Sequence, residues 1–439
     1  MKTIANYTIL GLLASLFIVV SCQKDINNSI EKNCDNALNV ESSSIISIDQ
    51  AIQTLYDFME ETECSMTKTT SGAKRTIASI DKYYHNGAPT KSSGEDVPNA
   101  YIVNFENNEG FAVLGAHSWQ DDIIAVTEKG SIDPNTLEIN PGSNKYLEAS
   151  SKIESEKLDW FSTKDNDFYF ADGDPTVLTD LIGKTIIGGG GITPNKYVTK
   201  SPIITTTWSQ GSWDSQGLYN YYCYKTMLGT KTYVYAGCTT AAMAMIIAAN
   251  KYPKNLIVNG VPLDYASMTS NKWPISSEEQ QHVNLLYGAI FKDIDYEFAL
   301  SAGTCITAAA AKERFEELGY SNVEVLSYSD YSPDMTAAIS EMLGQDKPVC
   351  ISAMGGVTNG HTWVIDGAKY HTMTYLLHCN WGWGGDCNGY FSSSMFNTQE
   401  PYSLDESATN NKDCEFTWHF RVIKYDLGTQ ESLNLQTLD

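Results

Sequence analysis

The sequence predicts an α+β fold in which helices come first and an antiparallel sheet follows. Three stretches carry that reading. Tyr235-Ala-Gly-Cys-Thr-Thr-Ala-Ala-Met-Ala-Met-Ile-Ile-Ala-Ala-Asn250 is a glycine turn feeding a helix that is small or apolar nearly all round, so the helix is enclosed on most sides. Asn359-Gly-His-Thr-Trp-Val-Ile-Asp-Gly367 and Tyr375-Leu-Leu-His-Cys-Asn-Trp-Gly-Trp-Gly-Gly385 are short, rich in aliphatic and aromatic residues, and bounded by glycine. That is the pattern of paired strands.

The helix carries Cys238 on its first turn, where unpaired N–H groups favour a thiolate, and Lys251-Tyr-Pro253 ends it. Alone, such a cysteine reads as a buried structural thiol. The two strands change that reading. With the hairpin turn placed at Tyr370 to Thr374, the partner of His361 falls near residue 381, which puts Asn380 beside the imidazole. A thiol, a histidine and a side-chain amide in the order Cys, His, Asn are the parts of an activated nucleophile: the ring takes the thiol proton and the amide fixes its tautomer. Upstream, Thr206-Thr-Trp-Ser-Gln-Gly211 offers Gln210, whose side-chain NH2 with the Cys238 backbone N–H would supply two donors to an oxyanion.

Other helices are predicted at Ser277 to Glu297, Ile306 to Gly319 (stopped by its glycine) and Met335 to Leu343, with a buried strand at Pro348 to Ser352. Asp366, His378, Cys379 and His419 fall in or near the sheet and read as structural. Towards the N-terminus, Ile48 to Met59 has helical spacing, Ala100 to Gly115 is a hairpin with Asn-Asn-Glu-Gly at its tip, and Ile123 to Gly130 adds a strand. From pattern alone this α+β unit is as compatible with a binding module as with a propeptide.

The chain of 439 residues has room for two domains with sizeable cores. Its net charge of −24 argues against nucleic acid as a partner, since phosphate binding needs clustered Lys and Arg. Ten cysteines include no CxxC pair, and no His-Glu-x-x-His helix occurs, so neither a metal site nor a cofactor is expected. An oxidising compartment permits cysteine pairing, but the spacing gives no connectivity. Gly183-Lys184-Thr185 lacks the earlier glycine of a phosphate loop, Leu178 standing there instead.

Lys2 and the apolar run Ile9 to Val20 end at Val19-Val-Ser-Cys22, a bacterial lipobox; a single-pass N-terminal anchor is the alternative. The pattern implies cleavage before Cys22 and a lipid on its thiol, so membrane contact is through the lipid only. Lys24-Asp25 resembles a signal for the outer face of the cell. The expected segments are a lipoprotein signal peptide (1–22), a spacer (23–44), an N-terminal α+β domain (45–181), a Gly-rich linker (182–200) with Lys184, Lys196 and Lys200 as exposed cleavage candidates, the domain that holds Cys238 and His361 (201–430) and a C-terminal tail (431–439).

Taken together, Trp208-Ser-Gln210, Gly237-Cys-Thr-Thr-Ala-Ala242 with Lys251-Tyr-Pro253, Gly360-His-Thr-Trp-Val-Ile-Asp-Gly-Ala368 and Asn380-Trp-Gly-Trp-Gly-Gly385 resemble the streptopain family of papain-like cysteine peptidases. The resemblance implies Cys238 as nucleophile, His361 as general base and acid, Gln210 in the oxyanion hole and Asn380 as a less firmly placed third member, with Trp381 and Trp383 holding and covering the imidazole. The stretch Lys369 to Leu377 looks longer than the family's usual turn. The resemblance also implies a papain-like catalytic domain, with the helix of the nucleophile and the sheet of the histidine as opposite walls of one cleft. The N-terminal unit resembles the family's propeptide less specifically, as an intramolecular inhibitor that obstructs the cleft or displaces His361. The expectation is an exported, lipid-anchored bacterial cysteine endopeptidase made as a zymogen, acting on protein or peptide substrates at the outer membrane or cell surface and released on maturation. The alternatives are a Cys–His acyl transferase and a catalytically inactive adhesin or binding module.

Overall fold

The computed structural model describes residues 45–66, 75–84, most of 98–132, and 197–437 apart from several short stretches and residues 398–414. The lipobox Cys22, the spacer and all of the linker before Tyr197 lie outside the described residues. From Ser47 onward the chain forms one compact unit.

Ser47 starts the first helix, α1 (Ile48–Met66), as a capping box does. Its hydroxyl accepts from the Gln50 N–H, and the Gln50 side chain accepts from the Ser47 N–H. Four strands follow: β1 (Ile77–Tyr83), β2 (Ala100–Phe105), β3 (Phe111–Gly115) and β4 (Ile123–Thr127). The longer helices of the second half are α2 (Cys238–Asn250), α3 (Ser277–Phe291), α4 (Ala308–Glu317) and α5 (Pro333–Gly344). The second-half strands of the main sheet are β5 (Ser321–Asp330), β6 (Val349–Met354), β7 (Gly360–His371), β8 (Thr374–Asn380), β9 (Gly389–Ser392) and β10 (Trp418–Asp426).

Side-chain caps set where three helices begin, each satisfying an N–H that the helix leaves open. Ser276 and Glu279 form a capping box on α3, Thr307 accepts from Ala310 N on α4, and Ser332 accepts from Met335 N on α5, which has Pro333 in its first turn. Two helices are shorter than their apolar spacing predicted. Tyr296–Ala299 leaves the α3 pattern because it pairs with Gly303–Ile306, and that pairing also takes Ile306 out of α4. Long-range pairing overrides local propensity at both places.

Among the described residues, one antiparallel sheet runs in the order β1-β2-β3-β4-β9-β8-β7-β6-β10-β5. The N-terminal unit therefore joins the second half through a shared ladder. Thr127, Val126 and Ala125 of β4 pair with Gly389, Tyr390 and Phe391 of β9. Helix α1 packs on the same edge: Phe58 meets the rings of His371 and Tyr390 edge-on, each at 5.4 Å, and Glu61 pairs with Lys369 Nζ at 2.8 Å.

A buried charge cluster lies at this junction. Asp366, which is 0 % exposed, bonds His378 Nδ1 through Oδ1 at 2.6 Å and accepts from Ile204 N–H through Oδ2 at 2.8 Å. His378 Nε2 faces Glu128 at 3.3 Å. Burial alone would push the imidazole down, but the Asp366 carboxylate, and then Glu128, reverse it and hold His378 at about 10. Burial pushes Glu128 up, and His378 outweighs it, bringing the carboxyl to about 2. The Glu128 side chain keeps 38 % of its exposure, so water screens that contact and Asp366 carries the larger share. The structural reading of Asp366 and His378 holds.

Helix α2 is the centre of the second half. Every residue from Thr239 to Ala248 is buried, and the helix packs on β7 and α3. The last pair of the hairpin β7–β8 is His371 with Thr374, and the stretch read as a long connection is strand almost throughout. A register shift between Ile365 and Gly367 then leaves Val364 opposite Asn380. The ladder has ended before His361, so the predicted pairing of His361 near residue 381 does not form.

Candidate active site

Gly237 explains how the thiol is presented. It caps α2 with φ 86° and ψ 161°, a backbone region open essentially to glycine alone. The chain can thus turn sharply into the helix and leave Cys238 half-buried at its first position. The N–H of Cys238 is one of those for which an α-helix offers no carbonyl. Ala241 N–H closes the first turn on Gly237 O at 3.1 Å.

The Cys238 thiol hydrogen-bonds the His361 ring. Burial pushes this thiol up, but the hydrogen bond and charge of His361, with further bonds from Thr362, bring it down to about 7. The other cysteines described nearby go the opposite way: burial lifts Cys350 to about 12 and pushes Cys223 and Cys379 higher.

His361 is 7 % exposed, and its Nε2 lies 2.9 Å from the backbone carbonyl of Trp381. A carbonyl only accepts, so Nε2 carries the proton and Nδ1 is left with the lone pair that can take a proton from sulfur. Tryptophan rings enclose the imidazole. Trp383 is centred 4.7 Å away, Trp381 6.0 Å and Trp363 6.2 Å.

This corrects the expected role of Asn380. Its Nδ2 donates to Thr206 O at 2.8 Å, and its Oδ1 accepts from Gly382 N–H at 3.3 Å. Neither end of the amide bonds the imidazole; a main-chain carbonyl one residue further on does so. Asn380 ties the Thr206 segment to the turn that presents Trp381. In that turn Gly382, Gly384 and Gly385 have φ of 73°, 69° and 93°, which accounts for glycines interleaving the tryptophans.

Gln210 lies next to the start of α2 through its backbone. Its backbone N–H donates to Gly382 O at 2.9 Å, and its carbonyl accepts from Gly237 N–H at 3.1 Å. The residue is thereby pinned between the tryptophan turn and the residue preceding Cys238. Its side chain has no hydrogen-bond partner among the described residues, so the amide is not occupied elsewhere.

Sequence reasoning missed Thr362 and Trp363. Thr362 bonds the thiol and also Thr239 Oγ1 at 3.0 Å; its position next to His361 at the strand end was the available signal. Trp363 is 0 % exposed and stacks on Trp381 at 4.9 Å; alternation along β7 puts it on the face of His361.

A cleft of about 560 Å3 opens beside this pair, walled by the starts of α2 and α4 and the ends of β6, β7 and β10. Helix and sheet therefore form its two sides, as expected. No described residue of the N-terminal unit lines it, and His361 is not displaced from the thiol. The expected obstruction is thus not made by the described part of that unit. Among the described residues, no group of His, Cys, Asp and Glu is placed to hold a metal ion, and no helix is long and apolar enough to cross a membrane.

A helix-borne thiol facing a strand-borne imidazole across a cleft is the arrangement of a cysteine peptidase. Residues 213–391 match the sequence model of the Peptidase C10 family. Streptopain of Streptococcus pyogenes is 25 % identical over 336 residues, spanning 68 % of this chain and 75 % of streptopain. The thiol protease/hemagglutinin PrtT of Porphyromonas gingivalis is 27 % identical over 223 residues, 45 % of this chain and 24 % of PrtT. A solved fragment of prointerpain A from Prevotella intermedia aligns over 78 % of this chain and 98 % of its own, with a TM-score of 0.45 and 17 % identity. The chain is a cysteine-type endopeptidase whose central segment matches the Peptidase C10 family and which is similar to streptopain.

Proposed function

We propose that this endopeptidase is made as a lipid-anchored zymogen and cleaves peptide bonds through a thioester on Cys238. The observation that carries the reading is the thiol–imidazole hydrogen bond, with the imidazole tautomer set by the Trp381 carbonyl. His361 Nδ1 takes the thiol proton, and the sulfur attacks the substrate carbonyl carbon. The oxyanion is held by the Cys238 N–H and the Gln210 side-chain NH2. As the C–N bond breaks, His361 returns the proton to the leaving amine and a thioester remains. Water then attacks it, giving its proton to His361; the carboxylic acid departs and the thiol is restored. Trp381 and Trp383 shield the ring from solvent, and Asn380 positions it indirectly through the Trp381 turn.

The lowered thiol gives a direct test. Iodoacetamide should label Cys238 ahead of the other cysteines, with a rate that rises as pH passes through about 7 and plateaus above it. An ordinary thiol begins to rise only about 1.5 pH units later. Mass spectrometry of labelled peptides against pH reads both features. Uniform slow labelling, with no step near neutrality, would sink the assignment of Cys238 as nucleophile and favour an inactive binding protein.

In this reading residues 45–181 act as a prodomain, and cutting between it and the peptidase domain separates the enzyme from a lipid on Cys22. The chain is tied down from Tyr197 on: the Tyr197 ring stacks on Tyr375 at 4.9 Å, Val198 N–H bonds Ser340 Oγ at 2.9 Å, and Lys200 exchanges backbone bonds with Ala368. Lys200, whose ammonium also pairs with Asp346, is therefore not the accessible site expected, and the cut is assigned to 182–196. Expressed from Gln23, the wild-type chain should shorten to a start before Tyr197 as activity rises, while Cys238→Ala stays full length. An uncut chain with full peptidase activity would instead make the N-terminal unit a binding module. Metabolic labelling with a fatty-acid analogue, lost in Cys22→Ser, tests the anchor.

A further inference from the structure

The walls of the catalytic cleft carry a charge pattern opposite to that of the chain. The sequence has 53 Asp and Glu against 29 Lys and Arg, yet the described lining of the cleft contains no carboxylate and includes Arg421 and Lys312.

Arg421 has a defined place relative to the thiol. On the sheet, Thr362 pairs with Ser352 and Ser352 with Arg421. Directly paired residues of antiparallel strands project to the same face. Thr362 bonds the Cys238 thiol, so Arg421 faces the same side two strands away, about 10 Å at the spacing of neighbouring strands. An extended substrate advances about 3.3 Å per residue, which sets Arg421 opposite a side chain two to three residues from the scissile bond.

The guanidinium there is half-buried. Nη1 donates to the Phe420 carbonyl at 2.9 Å, and among the described residues no carboxylate pairs with it. Lys312 differs, since Glu316 one turn along α4 already holds its ammonium. Five donors in a rigid fork, partly withdrawn from water, are suited to a carboxylate. Ile306, Val325 and Met354 give the approach an apolar wall along which the methylenes of a glutamate can lie. A substrate lysine or arginine would meet like charge and find no partner.

Resting on the reading of Cys238 and His361 given above, we propose that Arg421 makes this peptidase select substrates with an acidic side chain two to three residues from the cleaved bond. The test is a set of peptides differing only by Glu or Gln at each of four positions on either side of the bond, with kcat/KM measured on the full chain after maturation. At one position the Glu:Gln ratio should reach about tenfold, in keeping with a charge-assisted hydrogen bond at a partly exposed site, and should fall as salt is raised. Arg421→Gln should bring that ratio to about 1, and Arg421→Glu should turn the preference towards Lys. If the Gln variant does not fold, Arg421→Lys, which keeps the charge and loses the fork, should retain only part of the selectivity. Peptides that are cleaved with a ratio near 1 at every position overturn the proposal, as does a tenfold ratio that survives in Arg421→Gln. Failure to cleave any peptide of the set, Gln forms included, would instead refute the reading of the catalytic pair and take this inference with it.

Discussion

Replacing Cys238 or His361 by Ala should each remove peptide cleavage, and the double variant should be little worse than either alone. The reason is geometric. The thiol is acidic because His361 touches it, and His361 is useful because its unprotonated nitrogen faces that thiol, so either change disables one shared step. Gln210→Ala belongs to a different class. Its backbone bonds to Gly382 and Gly237 survive the change, so the fold should persist while turnover drops roughly a hundred- to a thousandfold through loss of an oxyanion donor. Steady-state kinetics of the three single variants and the double one separate these cases. Strictly multiplicative losses for Cys238 and His361, or a folded Gln210→Ala enzyme of near-normal turnover, would contradict the assigned roles.

The second large effect is on stability. Asp366→Ala leaves the His378 imidazole buried without its closest counter-charge and leaves Ile204 N–H without an acceptor. Removing one partner of a buried pair costs about 3–5 kcal/mol, which a urea-unfolding midpoint would register plainly. A loss below about 0.5 kcal/mol would mean that the pair is dispensable. The pH dependence follows from the shifts. His378 is raised, so its contribution is complete below its unfolded value of about 6.5 and is lost as pH rises through about 10. Glu128 is lowered, so its contribution is present above about 4.3 and is lost only as pH falls through about 2. Between pH 5 and 8 the contact between the two halves is therefore ionised and held, and mild acid does not undo it.

Much of the centre was legible because its signals are local. A glycine before Cys238 and an apolar run after it specify a capped, enclosed helix without reference to anything else. The glycines of the tryptophan turn likewise announce left-handed backbone. Asn380 was misread for the opposite reason. Its true partner, Thr206, lies far away in sequence, and the β7–β8 turn falls between His371 and Thr374, later than the expected midpoint near 371, so that Val364 and not His361 comes opposite Asn380. The joining of β4 to β9 was equally hidden, since either strand would suit any open sheet edge. Arg421 was passed over because one arginine in a C-terminal strand acquires meaning only when neighbouring strands place it opposite Thr362.

The β4–β9 ladder bears on what a cut in the connecting segment accomplishes. Cleaving one peptide bond there breaks none of the hydrogen bonds between Thr127, Val126, Ala125 and their partners on β9, nor the contacts of Phe58 and Glu61 with the β7–β8 hairpin. The immediate product of scission is therefore a nicked, two-fragment particle whose pieces remain in register. Scission makes parting permissible, and a slower peeling of one strand from another completes it. Dilution, a competing strand, or further digestion of the loosened fragment would set that pace. Once bare, Gly389–Ser392 is an open sheet margin with unanswered amides, so the separated enzyme is the form most prone to stick to a neighbour.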